Sequence, residues 1–297
     1  KREIEGSGKE LVDQLKYFGV VQDEGYFGDH EEGIYGPYVQ SKRADIYKIV
    51  IKELIRRGRA YPCFATSEEL EEMRAKQESA KIRPGYYGIW AKYRTLSVDE
   101  AIQKVKAGIP WVVRFKSMGQ EDRKIKHHDL IKGNIEFPEN DQDIVIIKAD
   151  GLPTYHFAHA VDDHLMRVTH VIRADEWLSS VPLHLELFKT LGFKTPKYAH
   201  ISPIMKEDNG GKRKLSKRKD PEASVSYYVE EGIPKEAVIE YLLNIANSNF
   251  ESWRKANPNA SLDEFELKIE KMSVSGALFD IIKILDISKT VISKYTA

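Results

Sequence analysis

The sequence predicts an α/β protein: a parallel-sheet domain split by an α+β insertion and followed by a helical region. Three observations carry this reading. Strand-like and helix-like runs alternate over residues 167–205, the spacing that builds a parallel sheet. A stretch of different texture, 61–148, interrupts the chain before them, and from about Pro221 helical periodicity takes over. The four parts are therefore expected at 1–60, 61–148, 149–220 and 221–297. With 297 residues, 41% hydrophobic and 31% charged, the chain suits a folded protein and not a disordered one.

Residues 9–18 place Leu11, Leu15 and Phe18 on one helical face and stop at Gly19; these three are the expected buried stripe. A Gly/Asp/Glu-rich loop covers 23–36. A second helix is expected from Tyr38 to Arg57, buried along Ile46, Ile49, Val50 and Leu54 and ended by Gly58. Inside 61–148, Thr66 with Glu69 and Ser97 with Glu100 have the spacing of capping boxes that open helices. Residues 111–116 and 144–148 read as strands, 167–173 as a short buried strand, 182–191 as a helix stopped at Gly192, and 198–205 as another strand. Further helices are expected at 222–230, 234–246 and, more weakly, 277–285.

Composition limits the chemistry. Lys+Arg and Asp+Glu both number 46, so any nucleic-acid contact must come from a local patch. The single cysteine, Cys63, excludes an intramolecular disulfide and a Cys-rich zinc site, and reads as a buried structural thiol. No apolar run approaches the roughly 18–20 residues of a membrane span and no signal peptide opens the chain, so a soluble, cytoplasmic protein is expected. The start at Lys1, in what reads as the interior of a domain, suggests a fragment.

Three segments are candidate sites. In the run Lys212–Lys219 six of eight residues are basic, after a strand and the flexible pair Gly210-Gly211. Such a loop can close over a polyphosphate and balance charge in phosphoryl or nucleotidyl transfer; the bland reading is a solvated basic loop. His156, His159, Asp162, Asp163 and His164 crowd one segment, but His-x-x-His without a metal framework is more often packing and hydrogen bonding than a metal site. Arg173, at the end of a strand and close to Trp177, can fork onto a carboxylate beside an aromatic wall. An internal pair with Asp175 or Glu176 is an equal alternative.

These segments together resemble the glutamyl-tRNA synthetases, class I aminoacyl-tRNA synthetases. Lys214-Leu-Ser-Lys-Arg218 is similar to the class's KMSKS-type signature. Residues 150–155, 161–166, 169–178, 1–7, 35–38 with 40–43, and 275–278 match further family blocks in order. The resemblance implies a Rossmann-type catalytic domain and a two-step ligase that makes glutamyl-adenylate from ATP and glutamate, then charges the tRNA 3′ end. It assigns Tyr155, His159, Arg173 and Trp177 to the glutamate pocket, and Glu176, Pro203, Ile204 and Lys217 to ATP. Lys214, Ser216, Lys217 and Arg218 become the catalytic loop. Mg²⁺ would come with ATP, held by its phosphates. The insertion 61–148 would bind the tRNA acceptor end, with Tyr86, Tyr87, Trp90 and the basic residues of 114–132 as RNA contacts, and 221–297 would contact the stem.

The chain departs from the family pattern in places. The N-terminal strand with the HIGH-type motif and the anticodon-binding part are not in this sequence, so the chain as written is expected not to activate glutamate. His159 stands where relatives often carry Asn, and Cys63-Phe-Ala65 lacks a second cysteine, so no zinc is expected. The partner expected is tRNA(Glu), with tRNA(Gln) left open, and a monomer is the family expectation. The rival readings are a glutamyl-queuosine tRNA(Asp) or glutaminyl-tRNA synthetase, a non-catalytic tRNA-binding paralogue, and a plain phosphate-binding α/β protein.

Overall fold

The computed structural model describes residues 6–295; most of the block at 1–7 lies outside them. Helices α1 (Ser7–Tyr17) and α2 (Ala44–Arg56) flank a small antiparallel pair, β1 (Gly25–Tyr26) and β2 (Glu31–Glu32). Then come β3 (Ala60–Cys63), α3 (Ser67–Ser79), α4 (Val98–Lys106), β4 (Val112–Phe115), β5 (Lys124–Asp129), β6 (Gly133–Pro138) and β7 (Val145–Ile147). They are followed by α5 (Tyr155–Leu165), β8 (His170–Ala174), α6 (Val181–Leu191), β9 (Lys197–Ile201) and the hairpin β10 (Met205–Asp208) and β11 (Gly211–Lys214). Helices α7 (Val225–Glu230), α8 (Lys235–Ala246), α9 (Phe250–Ala256) and α10 (Ile281–Ile292) complete the order.

Two sheets position the site. One has the order β6-β5-β9-β8, with β8 and β9 parallel from His170 opposite Lys197 to Ala174 opposite Ile201. The other is the antiparallel set β3-β4-β7. Strand β5, from the 61–148 stretch, joins β9 in parallel at Asp129 and Tyr198, so the hairpin β5–β6 is continuous with the β8–β9 sheet.

The main core lies where α2, α5 and α6 pack over the second sheet. Tyr47 and Leu54 meet Phe115, Ile146, Phe157, Val161, Leu187 and Phe188, all fully buried. Each such aliphatic or aromatic side chain contributes about 2 kcal/mol. Both capping boxes are formed: Thr66 Oγ1 accepts from the Glu69 N–H and Ser97 Oγ from that of Glu100, and the glutamates return bonds to the cap N–H groups. Gly192 ends α6 at φ 73°, a left-handed conformation that penalises any side chain.

Several expectations are corrected. In α1 the buried residue is Val12, while Leu11 is 56% exposed and Leu15 also faces outward. In α2 the core stripe is Tyr47, Ile51 and Leu54, and Ile49 is 70% exposed because it lies about 200° around the helix from Tyr47. Periodicity finds an apolar face but not which flank of it is covered. The strand near 167–173 is not buried: β8 is the edge of its sheet and Ile172 is exposed. The strand expected over 198–205 breaks after Ile201, around Pro203, and resumes as β10. The last helix starts at Ile281, where Asp280 caps the N–H groups of Ile282 and Lys283.

Candidate functional site

Strand β8 ends at the carboxyl edge of the parallel pair, where open α/β sheets collect ligands, and Arg173 sits there. Its Nε–H donates to His200 Nε2 (3.0 Å), one Nη1 N–H to the Tyr155 hydroxyl (3.3 Å) and one Nη2 N–H to His184 Nδ1 (3.2 Å). A guanidinium has five N–H donors, so two remain, one on each terminal nitrogen. The alternative pairing is excluded among the described residues: Asp175 takes Lys132 (3.2 Å) and Glu176 takes Lys214 (2.5 Å), and neither pairs with Arg173.

Aromatic rings wall the same place. Tyr155 lies 4.2 Å from Trp177 between ring centroids and stacks on His159 at 5.7 Å, with the planes 5° apart. The Arg173 guanidinium lies over the Tyr198 ring at 4.8 Å. The four residues assigned to one pocket by the sequence are thus together, beside a cleft of about 530 Å³ lined by Tyr155, His159, Asp163, Ile172 and Arg173.

The hydrogen bonds fix the histidine tautomers. His200 donates from Nδ1 to Asp129 Oδ2 (2.6 Å), leaving Nε2 as the acceptor for Arg173. His184 accepts from Arg173 at Nδ1 and so donates from Nε2 to His156 Nδ1 (2.9 Å). His159 donates from Nδ1 to Asp163 (2.9 Å) and accepts the Tyr198 O–H at Nε2 (2.8 Å). Burial, reinforced by the Arg173 charge, holds His156, His184 and His200 below the usual imidazole range. Neutral imidazoles can accept from Arg173 where imidazolium could not.

The basic run begins within β11 and leaves the strand after Lys214. Leu215 N–H donates to the Ile204 carbonyl (2.9 Å), which places Pro203 and Ile204 against the loop, and Lys214 reaches across to Glu176. Buried Asp220 anchors the turn: it accepts two bonds from Arg213 (2.6 and 2.8 Å) and the Ser216 N–H (2.9 Å). The Arg213 guanidinium holds the Asp220 carboxyl below its usual range. Lys217 and Arg218 stay exposed, with no ion-pair partner among the described residues. The segment 275–278 packs on the hairpin, with Met205 N–H bonded to the Ala277 carbonyl and Phe279 N–H to that of Met205 (2.8 Å each).

Other sequence candidates take structural roles. Asp162 is held by Arg43 (2.8 Å) and the Tyr47 hydroxyl (2.5 Å), which ties the block at 40–43 to α5. His164 stacks on Phe193 at 3.7 Å. Tyr86, expected to stack on bases, is instead 6% exposed under the Arg114 guanidinium at 3.9 Å, and Arg114 is itself buried. Tyr87 and Trp90 remain half-buried. Cys63 is buried, accepts from Arg114 Nε (3.3 Å) and faces the Tyr86 hydroxyl (3.4 Å). Among the described residues no three His, Cys, Asp or Glu side chains converge to hold a metal, and no helix is long and apolar enough to cross a membrane.

Sequence reasoning missed Asp129, His184, His200 and Asp220, and gave Lys132 and Arg213 other roles, as an RNA contact and as part of the basic loop. Asp220, one position past the basic run, carried a local signal; the other missed residues are joined to the site by contacts across 11 to 71 residues.

Residues 1–280 match the family model described as tRNA synthetases class I (E and Q), catalytic domain. The chain is 58% identical over 295 residues to a glutamate–tRNA ligase of Clostridium perfringens, covering 99% of this chain and 54% of that protein. It is 55% identical over 290 residues to one of Clostridium beijerinckii, covering 97% and 52%. A crystal structure of a glutamate tRNA ligase from Elizabethkingia meningosepticum in complex with its amino acid superposes with a TM-score of 0.85 at 33% identity, covering 99% of this chain and 61% of that one. The chain spans about half the length of the curated relatives it matches.

Proposed function

This chain belongs to the class I tRNA synthetases of the E and Q type, and we propose that it is the catalytic core of a glutamate–tRNA ligase, which joins glutamate to the 3′ end of tRNA(Glu) through glutamyl-adenylate. The observation that carries the reading is Arg173: a cation surrounded by neutral acceptors, with two N–H groups left over. Such a fork matches a carboxylate in a bidentate pair. A substrate with a side-chain carboxylate completes it, whereas a carboxamide brings no charge to balance the guanidinium.

In this reading Tyr155, His159 and Trp177 form the walls around the glutamate side chain. Glu176 and the backbone at Pro203 and Ile204 flank the adenine. Lys214 and Lys217 stabilise the pyrophosphate as it leaves, and Ser216 and Arg218 shape the loop that Asp220 pins. Mg²⁺ rides on the ATP phosphates, and among the described residues no group of His, Cys, Asp or Glu forms a metal cage. The stretch 61–148 receives the tRNA acceptor end and 221–297 the stem, in a cytoplasmic monomer.

The test is amino-acid-dependent ATP–pyrophosphate exchange by the full-length gene product, with all twenty amino acids, with and without tRNA. Exchange with glutamate alone supports the ligase. Exchange with glutamine instead would make it a glutaminyl enzyme, and none, in a folded protein that still binds tRNA, would leave a binding paralogue.

A further inference from the structure

Behind Arg173 lies a charge that no ligand can reach. Asp129, at the end of β5, and His200, in β9, are both fully buried. Asp129 Oδ1 accepts the N–H groups of Ile131 (3.0 Å) and Lys132 (2.9 Å), while the His200 N–H is shared between Oδ1 (3.3 Å) and Oδ2 (3.2 Å). Oδ2 then receives His200 Nδ1–H at 2.6 Å. A carboxylate with this many donors can only accept. The direction of every later bond is thereby set: His200 is protonated on Nδ1, its Nε2 carries the lone pair, and that lone pair meets the Arg173 Nε–H at 3.0 Å. His200 also stacks on Tyr198 (5.8 Å, planes 15° apart), whose ring lies under the guanidinium. The ring of His200 therefore has little freedom to swing away.

We propose that Asp129 and His200 are positioning residues for Arg173: the buried carboxylate locks the tautomer that grips Nε–H and so aims the two free N–H groups at the substrate carboxylate. The inference rests on the reading that Arg173 binds that carboxylate. It goes beyond it in placing part of substrate selection in a residue of the 61–148 stretch that never touches substrate. Asp129→Asn isolates the effect. The carboxamide keeps its oxygen for Ile131 and Lys132 but turns an NH₂ towards His200. The ring must then accept at Nδ1 and carry its proton on Nε2, where it opposes the Arg173 Nε–H donor to donor.

The experiment measures glutamate and ATP KM, and the ¹⁵N signals of the His200 ring, in the full-length gene product and its Asp129→Asn and Arg173→Ala variants. Loss of a charge-assisted bond and the opposed donors predict a glutamate KM raised about 10- to 100-fold, a far smaller change for ATP, and a proton moved from Nδ1 to Nε2. A moved proton with glutamate KM within about twofold of the parent overturns the inference while leaving the Arg173 reading intact. Unchanged glutamate use by Arg173→Ala overturns both. Should Asp129→Asn not fold, His200→Gln is compared with His200→Leu. Glutamine can donate to Asp129 and accept from Arg173, so it should retain glutamate binding where leucine loses it; equal losses in both overturn the inference.

Discussion

Arg173 carries a full positive charge on a half-buried strand end, and among the described residues no carboxylate lies within ion-pair reach of it. An unbalanced cation held by two imidazoles and a tyrosine hydroxyl is costly unless something anionic completes it. Arg173→Lys tests the need for a fork: one ammonium cannot hold His200, Tyr155 and His184 and still present two parallel N–H groups. We expect kcat/KM for glutamate to fall about 10- to 100-fold while the protein remains folded, and parental kinetics in the lysine variant would remove the bidentate contact. The histidines around it predict a pH dependence of stability. Burial holds His156, His184 and His200 below the ordinary value of about 6.5. On acidification the unfolded chain therefore takes up protons that the folded one refuses, so stability falls as the pH drops below about 6.5. Urea midpoints should decline steadily from pH 7 to pH 5; a flat profile would show that these rings charge without unfolding.

At the scale of elements, the hairpin β10–β11 presents the basic loop, and its seat is backbone against backbone. Gly276 has an ordinary φ, but a Cβ there would stand 2.5 Å from the Pro203 carbonyl oxygen and 2.8 Å from Met205 Cγ. A methyl group must push the 275–278 segment off the hairpin that it hydrogen-bonds. Gly276→Ala should cost about 1–3 kcal/mol, the usual range for overpacking, and should weaken ATP use through the adjoining Pro203–Ile204 turn. Unchanged melting and ATP KM would mean that the segment shifts freely. The capping boxes at Thr66 and Ser97 work differently. They are local, each closed within four residues, and they open their helices irrespective of what packs around them.

Across the whole molecule, Lys132 joins parts distant in sequence. Its ammonium donates to Asp175 beside the pocket (3.2 Å), to the Val274 carbonyl ahead of the hairpin seat (2.7 Å) and to the Ser202 hydroxyl. One side chain from the turn after β5 thus holds the end of β9, the turn after β8 and the helical region. Lys132→Met leaves Asp175 without its ion-pair partner and Val274 with only the Ser202 hydroxyl (2.8 Å), at little change in volume. The expected result is a loss of about 2–4 kcal/mol, allowing for the abandoned partners, with a fall in kcat larger than the change in glutamate KM. Parental stability and turnover would show that the three regions hold together without it.

The sequence by itself determined what is written in local patterns. Helix starts at Thr66 and Ser97 and the stop at Gly192 follow from residues within one turn of each other. The parallel strand–helix–strand order follows from alternating periodicities, and the signature-like loop and Tyr155, Arg173 and Trp177, proposed here for the pocket, stand in ordered blocks. Tertiary structure alone decided which flanks were covered. Leu11 and Ile49 are as apolar as Val12 and Ile51, yet only the latter meet a neighbour. It also decided that β5 would extend the β8–β9 sheet, and so brought Asp129 to His200, 71 positions away in sequence. A hydrogen bond forms between atoms in space: periodicity can announce an element, but the partner of a buried carboxylate is chosen only when the sheets have closed around it.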